Sequence, residues 1–96
     1  IMDPPSYGRG PRGEVWKLED ALYSLVDELK DVLSDKPLFF LLNSYTAGFS
    51  SQVSANLLEL AIKGRHGGTV TCGEVGLPID GTSLVLPCGT FARWEA

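Results

Sequence analysis

The chain has 96 residues, of which 44% are apolar and 21% are charged, and this balance is typical of one small globular domain. Its net charge of −4 excludes the global basic field that attracts nucleic acid to free-standing binding domains. No apolar run approaches the roughly 20 residues of a membrane span, and the first residues do not have the pattern of a signal peptide.

The first predicted element is a short strand, Ile1–Met2, which ends at Asp3-Pro4-Pro5. Proline has a fixed φ and no N–H, so Pro4 and Pro5 end the strand in a rigid turn. Ligands of open α/β sheets bind at the carboxyl ends of strands, which makes this turn a candidate site. The alternative interpretation is a simple stop between strand and loop. Because the strand begins without a preceding element and lacks a partner on one side, we expect the 96 residues to be a piece of a longer protein.

The next two elements are a loop and a helix. Half of the segment from Gly8 to Gly13 is glycine, which predicts a loop. Its arginines, Arg9 and Arg12, could approach an anion, although incidental surface charge explains them equally well. Leucine and valine then recur at helical spacing from Trp16 to Leu33, and the carboxylates between them indicate a solvated face.

The continuous apolar run Leu38–Leu42 predicts a central parallel strand that is covered on both faces. Polar side chains, Asn43-Ser44-Tyr45, follow it directly. Because carboxyl ends of parallel strands meet at one edge of a sheet, we expect these residues to lie beside Asp3. A second helix should begin at a Ser50 or Ser51 cap and end at Gly64.

The last third of the chain predicts an antiparallel hairpin. A loop, in which His66 is expected to be exposed, leads to a strand from Thr69 to Ile79 with a bulge near Gly73 or Gly76. Asp80-Gly81 is a hairpin turn signal, and a return strand from Leu84 to about Trp94 follows. The two cysteines lie in these strands, and we expect buried thiols in a reducing compartment. With no CxxC spacing and one histidine, no metal site is predicted.

This order of elements resembles the carboxyl-terminal half of class I S-adenosylmethionine-dependent methyltransferases, from their fourth strand to their seventh. Asp3-Pro4-Pro5 is similar to the Asp/Asn-Pro-Pro-aromatic motif that ends the fourth strand. The longer segment, Asp-Pro-Pro-Ser-Tyr-Gly with Arg-Gly-Pro-Arg-Gly-Glu-Val-Trp-Lys, is similar to methyltransferases related to the bacterial 23S rRNA enzymes. The resemblance covers residues 1–96 as one domain. It implies an α/β fold, a partial Rossmann-like sheet whose last strand inserts between the fifth and sixth.

The resemblance implies that S-adenosylmethionine is the cofactor of the full-length protein, that a base in ribosomal RNA is the substrate, and that the protein is cytoplasmic. Asp3, Pro4 and Pro5 would form the catalytic turn, where the Asp3 carboxylate and the Pro4 carbonyl accept hydrogen bonds from an acceptor amine. The other candidate substrate-binding residues would stack on the base, contact an anion or line the pocket from the neighbouring strand: Tyr7, Arg9, Arg12, Asn43, Ser44 and Tyr45.

Two departures from the family pattern modify this expectation. The glycine-rich turn and the ribose-binding acid of the amino-terminal half are not in the sequence. We therefore expect that this part alone neither binds the cofactor well nor catalyses, and that the amino-terminal half is its partner. The related C5 enzymes use a cysteine at a strand end, whereas Cys72 and Cys88 are expected far along the sheet. Direct methyl transfer to nitrogen or oxygen is therefore predicted.

Three alternatives remain at this stage. The acceptor could be a small molecule or a protein, because the chain has no basic surface overall. The chain could instead be a complete, non-enzymatic α/β interaction module, although its first strand lacks the charge or covering that protects edge strands. A third alternative is self-association through that exposed strand.

Overall fold

A computed structural model describes all residues, 1–96, and shows five strands and two main helices. A short hairpin comes first, then a helix, a strand, a second helical segment and a long terminal hairpin. The elements are β1 (Tyr7–Arg9), β2 (Val15–Lys17), α1 (Leu18–Leu29), β3 (Phe39–Ser44), α2 (Ser51–Leu58), α3 (Gly64–His66), β4 (Thr69–Pro78) and β5 (Val85–Glu95). A 3₁₀ turn, Lys30–Val32, follows α1, and a π-helical turn, Glu59–Lys63, joins α2 to α3.

The main sheet has the order β3-β5-β4, so the last strand lies between the two that precede it. β5 is antiparallel to both neighbours, which makes β3 and β4 parallel to each other. On the other side of β3, Met2 forms a single parallel bridge with Leu42. The predicted parallel pairing of the opening segment with the second strand is therefore confirmed, as are the inserted last strand and the terminal hairpin.

The core lies between one face of this sheet and the two helices. Alternate residues of β3 and β5 point to that face, and α1 and α2 cover them with leucine, isoleucine and valine. The fully buried side chains include Leu18, Val26, Leu42, Leu58, Ile62 and Trp94. Both helices pack on the same face, so the expectation that β3 is covered on both faces is wrong. Phe39, on the opposite face, is 43% exposed.

The predicted loop at 8–13 is confirmed for residues 10–13, which form a turn, but Gly8 and Arg9 belong to β1, which pairs with β2 as an antiparallel hairpin with Tyr7 opposite Lys17. The chain reverses between Gly10 and Glu14, whose backbone groups bond at 2.8 Å. Gly13 has φ 85°, a conformation that favours glycine, so the glycines form the turn and do not indicate disorder. The first helix consequently begins at Leu18, and Trp16 belongs to β2.

The second helical segment begins as predicted, because the Ser50 hydroxyl caps it by accepting a bond from the Gln52 N–H. Its predicted end at Gly64 is wrong: the π-helical turn carries the chain on to His66, and Gly67, with φ 69°, ends it. His66 is half-buried, with its ring 5.9 Å from that of Trp94, so the expected exposure is also wrong.

The terminal hairpin contains the predicted bulge, which is a shift of register between Val75 and Gly76. Its turn includes Asp80 and Gly81 and is closed by the Ile79 N–H, which donates to the Leu84 carbonyl at 3.0 Å. Cys72 and Cys88 are free thiols, but both are half-buried where full burial was expected. No helix has the length and apolar composition needed to cross a bilayer.

Candidate functional site at the tips of two neighbouring strands

The Asp3-Pro4-Pro5 turn is fixed to the sheet by the residue before it. The Met2 N–H donates to the Leu41 carbonyl at 2.7 Å, and the Asn43 N–H donates to the Met2 carbonyl at 2.9 Å. Because both the N–H and the carbonyl of Met2 bond to β3, they set the direction in which the chain enters the turn. Pro4 is buried, whereas Asp3 and Pro5 are exposed. The turn is therefore anchored as well as stiff.

Some backbone carbonyls of the turn accept hydrogen bonds from other residues of the chain, and others accept none. The Pro5 carbonyl accepts from Trp16 Nε1 at 2.7 Å, and the Ser6 carbonyl accepts from the Leu18 N–H at 3.1 Å. The carbonyls of Asp3 and Pro4 accept no hydrogen bond within the structure. Two acceptors at the end of the opening segment therefore have no partner within the chain, and the predicted role of Pro4 in binding an acceptor amine stays a prediction.

The tip of β3 lies next to this turn. The Asp3 carboxylate lies beside the Tyr45 hydroxyl and raises the pKa of Tyr45 above its ordinary value of 10.0, because the carboxylate favours the protonated phenol and repels the phenolate. Partial removal of the hydroxyl from water acts in the same direction, and the Asn43 side chain lowers the pKa slightly. The structure therefore brings together Asp3, Asn43 and Tyr45, as predicted.

A second contact ties the two tips together. Thr46 Oγ1 donates to Ser6 Oγ at 2.8 Å, across 40 positions of sequence. Ser44 differs from its neighbours because it is only 2% exposed and its hydroxyl accepts from the Thr46 N–H at 3.4 Å. Ser44 therefore shapes the loop after β3 from below. Of the three residues predicted to line the pocket from this strand, only Tyr45 lines one of the cavities described next; Asn43 and Ser44 line neither.

Two cavities lie near the strand tips and share no residue, and Tyr45 lines only the larger of them. The turn cavity, of about 380 Å³, is lined by residues of the opening segment together with one residue of β2 and one of α1: Met2, Asp3, Pro4, Pro5, Trp16 and Leu25. The larger one, of about 560 Å³, lies between the loop after β3 and the middle of the terminal hairpin. We name it the Tyr45–Glu74 cavity; its walls include Tyr45, Phe49, Glu74, Pro87, Cys88 and Thr90.

The remaining predicted residues lie on the β1–β2 hairpin. Tyr7 is 52% exposed, and its hydroxyl accepts from Arg9 Nε at 2.9 Å. Arg12 is exposed in the turn, where its N–H donates to Glu14 Oε2. None of these three side chains lines either cavity. They form a separate surface that follows the Asp3-Pro4-Pro5 turn in sequence.

Sequence reasoning missed Trp16, Glu74 and Thr90, and misplaced Cys88. Cys88 lines the same cavity as Tyr45, so the expectation that it lies far from the strand tips is wrong. The reason is the pairing of Ser44 with Thr90, which places the middle of β5 directly beside the end of β3. Gly89 allows this approach: a Cβ there would lie 2.4 Å from the Ser44 carbonyl oxygen. No local signal in the sequence gives this register.

Comparison with known proteins shows which class of protein has a similar structure. No protein-family model matches the chain, and no curated protein matches it significantly. The chain is similar to the crystal structure of an S-adenosylmethionine-dependent methyltransferase from Agrobacterium tumefaciens, with a TM-score of 0.81 and 35% sequence identity. The similarity covers 99% of this chain and 32% of that one.

The predicted fold class is therefore confirmed: the chain has an α/β fold that matches part of a methyltransferase fold, with open sheets. The resemblance to a part of class I methyltransferases is supported in both structure and sequence. The chain spans about a third of the length of the methyltransferase it matches.

Proposed function

We propose that this chain forms the acceptor-holding part of an S-adenosylmethionine-dependent methyltransferase that acts on a base in RNA. The observation that carries the proposal is the pair of free carbonyls at Asp3 and Pro4, next to the Asp3 carboxylate, on a turn anchored to β3. The similarity to a methyltransferase over 99% of the chain supports the reaction class.

Direct methyl transfer requires a nucleophile that is held in line and close, so the contribution of the protein is mainly positioning. An acceptor amine would donate its N–H groups to the Pro4 carbonyl and to the Asp3 carboxylate. These bonds hold the nitrogen in place and increase its electron density. The proline ring keeps the carbonyl in position, because φ of Pro4 cannot rotate. Tyr45 stays protonated beside Asp3 at neutral pH and limits the directions from which the acceptor can approach.

The residues that line the turn cavity suit the sulfonium part of the cofactor. The turn cavity is largely apolar and has a single carboxylate, Asp3, which suits a positively charged sulfonium. Its lining contains no cation for the cofactor's own carboxylate, and Trp16 Nε1 is already bonded to Pro5. S-adenosylmethionine, when bound, supplies the methyl group as an electrophile. We propose that the rest of the full-length protein holds most of that molecule, and that this chain by itself is inactive.

We further propose that no cysteine nucleophile takes part. Cys88 lines the Tyr45–Glu74 cavity, which has no residue in common with the turn cavity, and Cys72 lines neither. A nucleophile acting on the same base as Asp3 would need to reach the turn. Both cysteines are free thiols, which supports a cytoplasmic protein.

The β1–β2 hairpin supports an RNA acceptor. Its residues 7–17 contain three cations, Arg9, Arg12 and Lys17, and one carboxylate, Glu14, in a chain whose net charge is −4. The hairpin follows the catalytic turn directly, and Tyr7 offers an exposed ring for stacking. A local basic surface of this kind can contact phosphates while the rest of the chain does not.

The test uses the natural full-length protein and counts methyl groups transferred from labelled S-adenosylmethionine to RNA, to a metabolite extract and to peptides. We expect transfer to RNA, and we expect Asp3→Asn to lower kcat about ten- to hundredfold, as for the loss of a charge-assisted hydrogen bond. Asp35→Asn, an exposed carboxylate elsewhere, is the matched control. Failure to bind S-adenosylmethionine would favour the non-enzymatic interaction module.

The nature of the acceptor is tested separately through the hairpin. Arg12→Ala should weaken RNA binding and reduce the slope of log affinity against log salt by about one, as expected for one lost phosphate contact. Lys36→Ala, which removes an exposed cation between α1 and β3, should change neither. Methylation of metabolites only, unaffected by Arg12→Ala, would overturn the RNA acceptor and leave the methyltransferase class intact.

A further inference from the structure

The Tyr45–Glu74 cavity has no role in the reaction described above. It is about 560 Å³ in volume, within the range of small-molecule sites, and the loop after β3 and the strands β4 and β5 all contribute to it. Tyr45 separates it from the catalytic turn, because Tyr45 lines this cavity while its hydroxyl lies beside Asp3. The cavity is thus a neighbour of the acceptor position and not a part of it.

The cavity has one carboxylate, Glu74, together with hydroxyl groups that can donate or accept, and its side chains carry no positive charge. Glu74 makes no ion pair, and no lysine, arginine or histidine is among the lining residues. Thr90 Oγ1, opposite Glu74 in the strand pairing, is buried and has no hydrogen-bond partner. A buried hydroxyl without a partner costs free energy, which a ligand group could recover. The Glu74 carboxylate favours a ligand with N–H donors, and its charge opposes phosphate although the amino end of α2, at Ser50 and Ser51, also lines the cavity.

The apolar walls indicate a flat ligand. Tyr45, Phe49 and Pro87 provide an aromatic or ring surface around the two polar groups. Planar heteroaromatic rings stack on such surfaces and present their hydrogen-bonding groups at the edge. The volume is sufficient for a nucleobase and its sugar.

We propose that the Tyr45–Glu74 cavity binds a nucleobase that offers two adjacent N–H donors, the edge that guanine presents, and that this base flanks the methylated position. The proposal rests on the proposed function in taking RNA as the substrate. The two oxygens of Glu74 accept the two parallel N–H groups, as a carboxylate does from any forked donor. Thr90 Oγ1 bonds a further polar group at the edge of the base.

A guanidinium group presents the same fork of donors, so an arginine side chain is the competing ligand. The observations favour the base for two reasons: the cavity has ring-sized apolar walls, and the chain places a basic hairpin, suited to an RNA strand, directly after the adjoining turn.

The cavity carries its own reporter, because Cys88 lines it and Cys72 does not. We would measure the rate at which N-ethylmaleimide alkylates each cysteine of the natural full-length protein, by mass spectrometry of the two peptides, as guanosine is added. Guanosine should slow the alkylation of Cys88 severalfold and leave Cys72 unchanged. Inosine, which lacks one N–H donor, and adenosine, which lacks the adjacent pair, should need about tenfold higher concentrations for half-protection.

Two variants test the residues. Glu74→Gln should raise the guanosine concentration for half-protection about tenfold or more, whereas Glu19→Gln, an exposed acid of α1, should not change it. Thr90→Val has a similar shape and removes only the unpartnered hydroxyl, so it should fold at least as well as the natural protein and still bind guanosine more weakly.

Equal protection by all three nucleosides, an unchanged Glu74→Gln variant, or equally strong protection by methylguanidine would overturn the proposal. The outcome is independent of catalysis. If the protein transfers no methyl group but guanosine protects Cys88 as described, the proposed function fails, and with it the methylated neighbour, while the cavity is still a guanine site. If it methylates RNA and Cys88 is not protected, only the assignment of the cavity fails.

Discussion

The change Gly89→Ala tests the packing that holds Tyr45 between the two cavities. A Cβ built on Gly89 lies 2.4 Å from the Ser44 carbonyl oxygen and 2.8 Å from Tyr45 Cδ1. Tyr45 could rotate away from the new methyl group, but a backbone oxygen within a strand pairing cannot. The end of β3 must therefore move away from β5, and Tyr45 must move with it.

The size of the effect follows from two opposing terms. Forcing an extra methyl group into a packed site costs about 1–3 kcal/mol. Replacing glycine by alanine recovers about 0.4–1 kcal/mol, because the unfolded chain loses conformational freedom. We expect a net loss of about 1–2 kcal/mol in the free energy of unfolding, which in a domain of this size lowers Tm by roughly 5–15 °C. Because Tyr45 would leave Asp3, its pKa should also fall toward the ordinary value.

The assay is thermal unfolding followed by circular dichroism, with Gly8→Ala as the matched control. Gly8 also lies in a strand, but a Cβ there meets only Trp16 Cβ at 4.0 Å, an ordinary contact. Gly8→Ala should leave Tm unchanged or raise it slightly. If both variants unfold at the natural temperature, the close approach of β5 to the tip of β3 does not exist as described, and the explanation for Cys88 in the cavity wall fails with it.

Three further predictions concern the same region. Asp3→Asn should lower the pKa of one tyrosine in an ultraviolet titration, while Asp80→Asn should not. Because the pKa of Tyr45 is raised in the folded state, the stability that Tyr45 contributes is complete below pH 10.0 and declines as pH rises through the folded pKa. Asp3→Asn should reduce that decline. Ser50→Ala should destabilise by about 1 kcal/mol through loss of the cap on α2, and an equal loss in Ser51→Ala would contradict that assignment. A double-mutant cycle of Ser6→Ala with Thr46→Val should give a coupling of about 0.5–1.5 kcal/mol, whereas simple additivity would mean that the hydroxyls do not join the two tips.

The parts of the fold that the sequence predicted depend on local patterns. Asp3 and Asn43 each follow an apolar run, and parallel pairing brings such ends together. The terminal hairpin was predictable because Asp80-Gly81 lies between two long apolar runs, and the bulge because glycine interrupts the first of them. In each case a few adjacent residues carry the whole signal.

The parts that failed depend on contacts between distant residues. Trp16 continues the apolar spacing of α1, so periodicity alone includes it in the helix. In the structure it lies in β2, where its indole N–H donates to the Pro5 carbonyl. The position of Cys88 depends on the register of β5 against β3 and on the bulge beside it: Val75 pairs with Gly89 and Gly76 with Pro87, so Cys88 is the extra, unpaired residue of β5. Since a shift of one residue reverses the face of every side chain, no local pattern could have placed Cys88.

The tip of β3 is held on three sides, and this connects the fold to the chemistry. Met2 bonds its backbone on one side, Gly89 lets β5 approach on the other, and the contact from Ser6 to Thr46 restrains the loop that follows. Catalysis by positioning requires that the acceptor group meet atoms whose places are already fixed. Here the free carbonyl of Pro4 and the ring of Tyr45 stand on two strand ends bonded to each other, so their relative position depends on the pairing of the sheet and not on a flexible loop. Under the proposed function, a substrate that enters both cavities would bind to one rigid unit, and Tyr45 would lie between the proposed methylated base and the base beside it.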